Sequence, residues 1–95
     1  MHDVIVRQTN SFSKVVKKLH LNQKKELDKI IQEIMGNPNI GDNKKGDLAG
    51  VKIYKFRMIN QLTLLAYQYD DQNEIITLLA LGVHENFYRE LKNTH

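Results

Sequence analysis

The sequence predicts an α+β fold in which an antiparallel sheet packs against a hairpin of two helices. Three observations carry this. Two apolar stripes of helical period follow one another in residues 11–35, three β-rich apolar runs stand close together in residues 51–81, and a segment of turn residues separates the two groups. At 95 residues there is room for one hydrophobic core, so residues 1–95 are read as a single domain.

Taken in order, "DVIVRQ" (residues 3–8) is rich in β-branched residues and alternates weakly, which predicts a first strand. Ser11 is placed to cap a helix whose Phe12, Val15, Val16 and Leu19 share one face. A break at residues 20–22 follows, with Asn22 as the next expected cap. Leu27, Ile30, Ile31, Ile34 and Met35 then repeat at helical spacing, opposite Lys24, Lys25, Asp28, Lys29, Gln32 and Glu33. Gly36 and Pro38 end that helix. So short a connection predicts an antiparallel helix hairpin covering one side of the sheet.

Residues 36–50, "GNPNIGDNKKGDLAG", hold four of the five glycines and the only proline, and read as a surface loop without phosphate-loop spacing. Strands are predicted over residues 51–58, 62–69 and 74–81, joined by the tight connections "MINQ" and "DDQN" into a meander. The runs "LTLLAY" and "IITLLAL" are nearly continuous in apolar residues, as suits the middle of a sheet. Residues 85–92 close the pattern with a short helix, giving the order βααβββα.

Composition narrows the function. With 41% hydrophobic and 26% charged residues the chain is of ordinary globular type. There is no cysteine, hence no disulfide framework and no thiolate metal site, in keeping with a reducing cytoplasm. "MHDVIVRQ" lacks the apolar stretch of a signal peptide, and no run is long enough to span a bilayer. Net charge is +3, but its distribution is uneven: Lys44, Lys45, Lys52, Lys55 and Arg57 face a single acid, Asp47, between residues 44 and 57. Such a patch can hold phosphates, and it is equally the make-up of a solvated face.

Four histidines, at positions 2, 20, 84 and 95, have no spacing that suits a metal, and no cofactor motif is present. No Ser/His/Asp set is legible, and Asp70 and Asp71 read as turn residues. What remains is a row of cations on one strand and a histidine just past the end of another. Lys55 and Arg57 fall on one side of the pleat and Lys52 on the other, while His84 precedes Tyr88 and Arg89 in the closing helix. Cations beside a group that titrates near neutrality suit RNA cleavage. A base takes the proton of a ribose 2′-hydroxyl, cations stabilise the phosphorane, and an acid protonates the departing 5′-oxygen. The bland alternative is that these strand-end side chains are simply solvated.

The order βααβββα, with "GDLAGVKIYKFR" entering the second predicted strand, "LLAYQY" in the third and the closing "LGVHENFYRELK", resembles the RelE/ParE superfamily of bacterial toxins, and in particular a ParE-like branch. The resemblance spans almost the whole chain and is strongest over residues 46–92. It implies a cytoplasmic bacterial toxin of a type II toxin–antitoxin system, neutralised by a cognate antitoxin protein. RelE-like members are endoribonucleases (mRNA interferases) that cut mRNA, usually on the ribosome, and inhibit growth. ParE-like members poison DNA gyrase instead. Under the first activity, Lys55 and Arg57 match the basic second strand of the nucleases, and His84 and Tyr88 match their strand-end and C-terminal catalytic positions. Lys45, Lys52 and Arg89 then serve as substrate-binding cations. One departure stands out: where many such nucleases carry an arginine shortly before the third-strand tyrosine, this chain has Leu64. That thins the phosphate-binding set and leaves two alternatives open, a gyrase inhibitor and a degenerate toxin that only binds its antitoxin.

Overall fold

A computed structural model describes residues 4–83 together with Phe87 and Leu91. Its elements are β1 (Ile5–Gln8), α1 (Asn10–Lys17), α2 (Leu21–Gly36), β2 (Asp42–Asn43), a 3-10 turn (Gly46–Leu48), β3 (Lys52–Met58), β4 (Gln61–Asp70) and β5 (Ile75–Val83). They form one five-stranded sheet in the order β1-β5-β4-β3-β2. The meander β3-β4-β5 is antiparallel, as expected, and β1 joins it parallel to β5 with Ile5 opposite Ile75. The expected closing helix lies outside the described residues except for Phe87 and Leu91, both helical and buried.

Both helix caps sit earlier than the sequence pattern suggests. Thr9, not Ser11, starts α1: its hydroxyl accepts from the Phe12 N–H at 3.1 Å and donates to the Leu79 carbonyl at 3.1 Å. One side chain thus caps the helix and ties it to β5. Leu79 is the extra residue where the β4–β5 register slips, between the pairs Ala66–Ala80 and Tyr67–Leu78. For α2 the cap is His20, whose N–H donates to Gln23 Oε1 at 2.8 Å, half of a capping box; Asn22 lies within the helix. The 36–50 loop departs from expectation as well, since Asp42 and Asn43 pair with Ile53 and Lys52 as a two-residue edge strand.

Each face of the sheet has its own apolar cluster. Phe12 of α1 and Leu27 and Ile34 of α2 pack on Phe56, Met58, Leu65, Tyr67, Ile76, Leu78 and Leu81. Ile34 is fully buried, whereas Ile31 only flanks this cluster. The opposite face carries Ile53, Leu64 and Ala66 beneath Val51, Leu48, Phe87 and Leu91. β4 is therefore covered on both sides, and residues 63–67 are all buried, which is why its apolar run does not alternate. Burial of each large side chain contributes about 1.5–3 kcal/mol.

The connections obey local chemistry. Met58 pairs with Gln61, leaving Ile59 and Asn60 as a two-residue hairpin loop, both at positive φ (49° and 68°). Asp70 makes the β4–β5 turn. Its carboxylate accepts from the Asn73 side chain at 2.8 Å and from the backbone N–H groups of Gln72 and Asn73, and these bonds, the Asn73 side chain first, hold it below the usual carboxylate range. That is the turn role the sequence assigns it.

Candidate functional site

β3 alternates strictly. Tyr54, Phe56 and Met58 point to the helix hairpin, and Ile53, Lys55 and Arg57 to the other side. Lys55 and Arg57 are both exposed, two residues apart on one face. Arg57 Nη1 reaches the Asn60 carbonyl at 3.5 Å, a long approach that leaves the guanidinium available. Lys52 lies on the hairpin side of the pleat, as its spacing predicts, half-buried with Nζ donating to Asn43 Oδ1 at 2.6 Å. Lys45 is exposed in the loop just before the 3-10 turn. The structure thus brings Lys55 and Arg57 together and sets Lys52 on the other face of the sheet. His84, Tyr88 and Arg89 lie outside the described residues; β5 ends at Val83, directly before His84.

Across the sheet from these cations the partners are apolar. Lys55 stands opposite Leu64, which in turn pairs with Gly82, and Arg57 stands opposite Leu62, itself 43% exposed. Gly82 leaves the space that Phe87 occupies: a Cβ there would stand 3.4 Å from the Phe87 ring. Leu64 is fully buried in the cluster with Phe87 and Leu91. A cation in its place would be desolvated under those side chains, so on this face the exposed cations of the three-strand meander are Lys55 and Arg57.

Two tyrosines hold the surroundings. The Tyr67 hydroxyl donates to the Pro38 carbonyl at 2.8 Å and accepts from the Gly41 N–H at 3.0 Å, pinning the start of the basic loop to the sheet. Burial pushes that phenol up from its ordinary pKa. Gly41 must be glycine for this approach, because a Cβ would come within 2.9 Å of the Tyr67 oxygen and 3.2 Å of the Ile53 carbonyl. The Tyr54 hydroxyl donates to Glu33 Oε2 at 2.9 Å, joining α2 to β3. That bond, then desolvation, raises its pKa. Among the described residues no group of three His, Cys, Asp or Glu side chains comes together as a metal site, and no helix is long and apolar enough to cross a membrane.

The family model for the ParE-like toxin of type II bacterial toxin–antitoxin systems matches residues 6–92. The chain belongs to this family. It is a toxin of a type II system of the RelE/ParE kind, whose counterpart is a cognate antitoxin. Solved structures agree on the fold. A mutant of the Escherichia coli toxin RelE in the free state superposes with a TM-score of 0.74 at 21% identity, over 96% of this chain and 92% of that one. The toxin of the intact E. coli RelBE toxin–antitoxin complex gives 0.71 at 22% identity, over 87% and 99%. The Mycobacterium tuberculosis RelBE2 complex gives 0.67 at 19%, over 85% and 98%. No match was found among curated proteins.

The charge pattern of residues 44–57 has a counterpart of similar density in the helix hairpin, which the sequence patterns above pass over. There six lysines fall between residues 14 and 29, a signal open to a count of charges per segment.

Proposed function

We propose that the toxin is an endoribonuclease that cuts mRNA in the bacterial cytoplasm and so arrests translation. The observation that carries this is the pair Lys55 and Arg57, exposed side by side on one face of β3 and unpaired by any carboxylate among the described residues. The pair suits the charge on a scissile phosphate as it becomes a phosphorane. In the proposed reaction a base removes the 2′-hydroxyl proton, the 2′-oxygen attacks phosphorus, and the 5′-oxygen leaves with a proton from an acid. The products are a 2′,3′-cyclic phosphate and a 5′-hydroxyl. His84 is the proposed acid or base, since histidine is the side chain whose unperturbed pKa, about 6.5, suits proton transfer near neutrality, and Tyr88 is the second proposed proton-transfer group. Lys45 and Arg89 are proposed as further binding cations, whereas Lys52, on the hairpin side of β3, stands outside this surface.

A second reading, inhibition of DNA gyrase, is favoured by two specific observations. The matching family model is the ParE-like one, and Leu64 is buried where many RelE-like nucleases carry an arginine. Induction in a bacterial host, with total mRNA and plasmid supercoiling followed together, separates the two. Ribonuclease action gives prompt mRNA loss, relieved in His84→Gln, because loss of one acid/base group lowers rate about 10²–10⁴-fold, and in Arg57→Ala, which removes charge stabilisation of the phosphorane. Full toxicity of both variants with trapped gyrase cleavage complexes would sink the ribonuclease reading.

A further inference from the structure

The helix hairpin presents a second set of cations on the side of the sheet away from Lys55 and Arg57. Between residues 14 and 29, six lysines stand against two carboxylates, Glu26 and Asp28. On α1, Lys14, Lys17 and Lys18 lie opposite Phe12 and Val16, which are spent on the core, and all three are exposed. On α2, Lys25 and Lys29 are exposed and Lys24 half-buried. Lys29 approaches Glu26 at 3.9 Å, an exposed pairing of little worth, and the other five lysines have no acidic partner among the described residues.

Helix stability does not account for this arrangement. Lys14 and Lys17 complement the negative end of α1. Lys24 and Lys25 do the reverse, standing at the positive end of α2, whose first turn contains no acid. Cations at that end leave the helix dipole uncompensated, a small cost that a bound anion would relieve.

The hairpin also selects among polyanions. Apart from the capping His20, its only aromatic residue is Phe12, which is buried, so it offers little on which an unpaired base could stack. It has no Arg, Tyr or Trp, the residues that anchor protein interfaces. Most of its apolar stripe is consumed by the sheet, and the two exposed apolar side chains, Val15 and Leu21, are too few to form the continuous face that enters a lipid surface. Lysines on rigid helices and no base-reading group suit a duplex held through its phosphates. We propose that the corner between α1 and α2, with Lys17, Lys18, Lys24 and Lys25 at its centre, docks the phosphate backbone of double-helical RNA. The choice of RNA over DNA rests on the ribonuclease reading; the polyphosphate surface does not.

The toxin would then touch RNA on both sides of its sheet, one face for the strand to be cut and the other for a folded region beside it. The test is fluorescence anisotropy with a 20-base-pair RNA duplex over a salt series, in a His84→Gln background. Replacing the four lysines by glutamine, itself a good helix former, should preserve the circular dichroism spectrum. It should weaken duplex binding and flatten the slope of log K against log salt by roughly 0.9 for each phosphate no longer neutralised, while Lys55→Gln alters the slope by less than that amount. Cleavage of naked single-stranded RNA, measured with His84 intact, should survive the four replacements. An unchanged slope would overturn the docking surface. Larger losses on a DNA duplex than on the RNA duplex, or larger losses on phosphatidylserine vesicles or polyglutamate, would overturn the assignment to RNA. Failure of cleavage in the otherwise wild-type chain bears on the ribonuclease reading alone.

Discussion

Ile59 is the least comfortable residue of the described chain. A β-branched side chain at φ 49° sits in a hairpin position that ordinarily takes asparagine, aspartate or glycine, and it is 46% exposed, so burial does little to offset the conformation. A left-handed non-glycine residue costs about 1–2 kcal/mol. Ile59→Asn combined with Asn60→Gly should therefore raise the melting temperature, by roughly 4–8 °C for each kcal/mol in a domain of this size; an unchanged melt would mean that the turn is not strained. Tyr67 is the converse case, a residue whose polar atom is fully used. Tyr67→Phe leaves the Gly41 N–H and the Pro38 carbonyl without their partner and should cost about 1–3 kcal/mol. Faster amide hydrogen exchange at Gly41 would report the same loss locally.

Among elements, the tie between α2 and β3 is the one open to titration. Tyr54 donates to Glu33, and its folded pKa is raised above the ordinary phenol value of 10.0. The unfolded phenol thus ionises first on raising the pH. The stabilisation from this pair is complete below about pH 10 and is lost as pH climbs through the folded value. Urea midpoints measured from pH 8 to 11 should fall more steeply for the parent chain than for Tyr54→Phe. The existence and type of these elements were legible in the sequence, because helical period and apolar runs report burial directly. Cap positions and sheet neighbours were not. Thr9 caps α1 while its hydroxyl also donates to Leu79, a residue 70 positions away, and no local pattern around Ser11 reveals that. The two-residue β2 is likewise a consequence of Tyr67 drawing the loop onto the sheet. At the site, alternation along "VKIYKFR" correctly separates Lys52 from Lys55 and Arg57. Burial of Leu64 depends on Phe87 and Leu91 folding back, which spacing alone does not show.

At the scale of the molecule, charge is the organising quantity. Eleven of the 14 basic residues fall in two segments, residues 14–29 and 44–57. An antitoxin that covers β3 must neutralise the second group, so toxin–antitoxin association should weaken as salt rises from 0.05 to about 0.5 M, with the change mainly in the association rate. Equal rates across that range would place the antitoxin elsewhere. The path of the chain has a different consequence, one of timing. Among the described strands β1 is made first, yet its one partner there is β5, in a parallel register that joins Ile5 to Ile75. Pairings so distant in sequence close late. During synthesis, at about 5–20 residues per second, the first strand waits without a neighbour until residues 75–83 have emerged. Each new molecule therefore lacks a complete sheet until β5 has been made, however early its helices form.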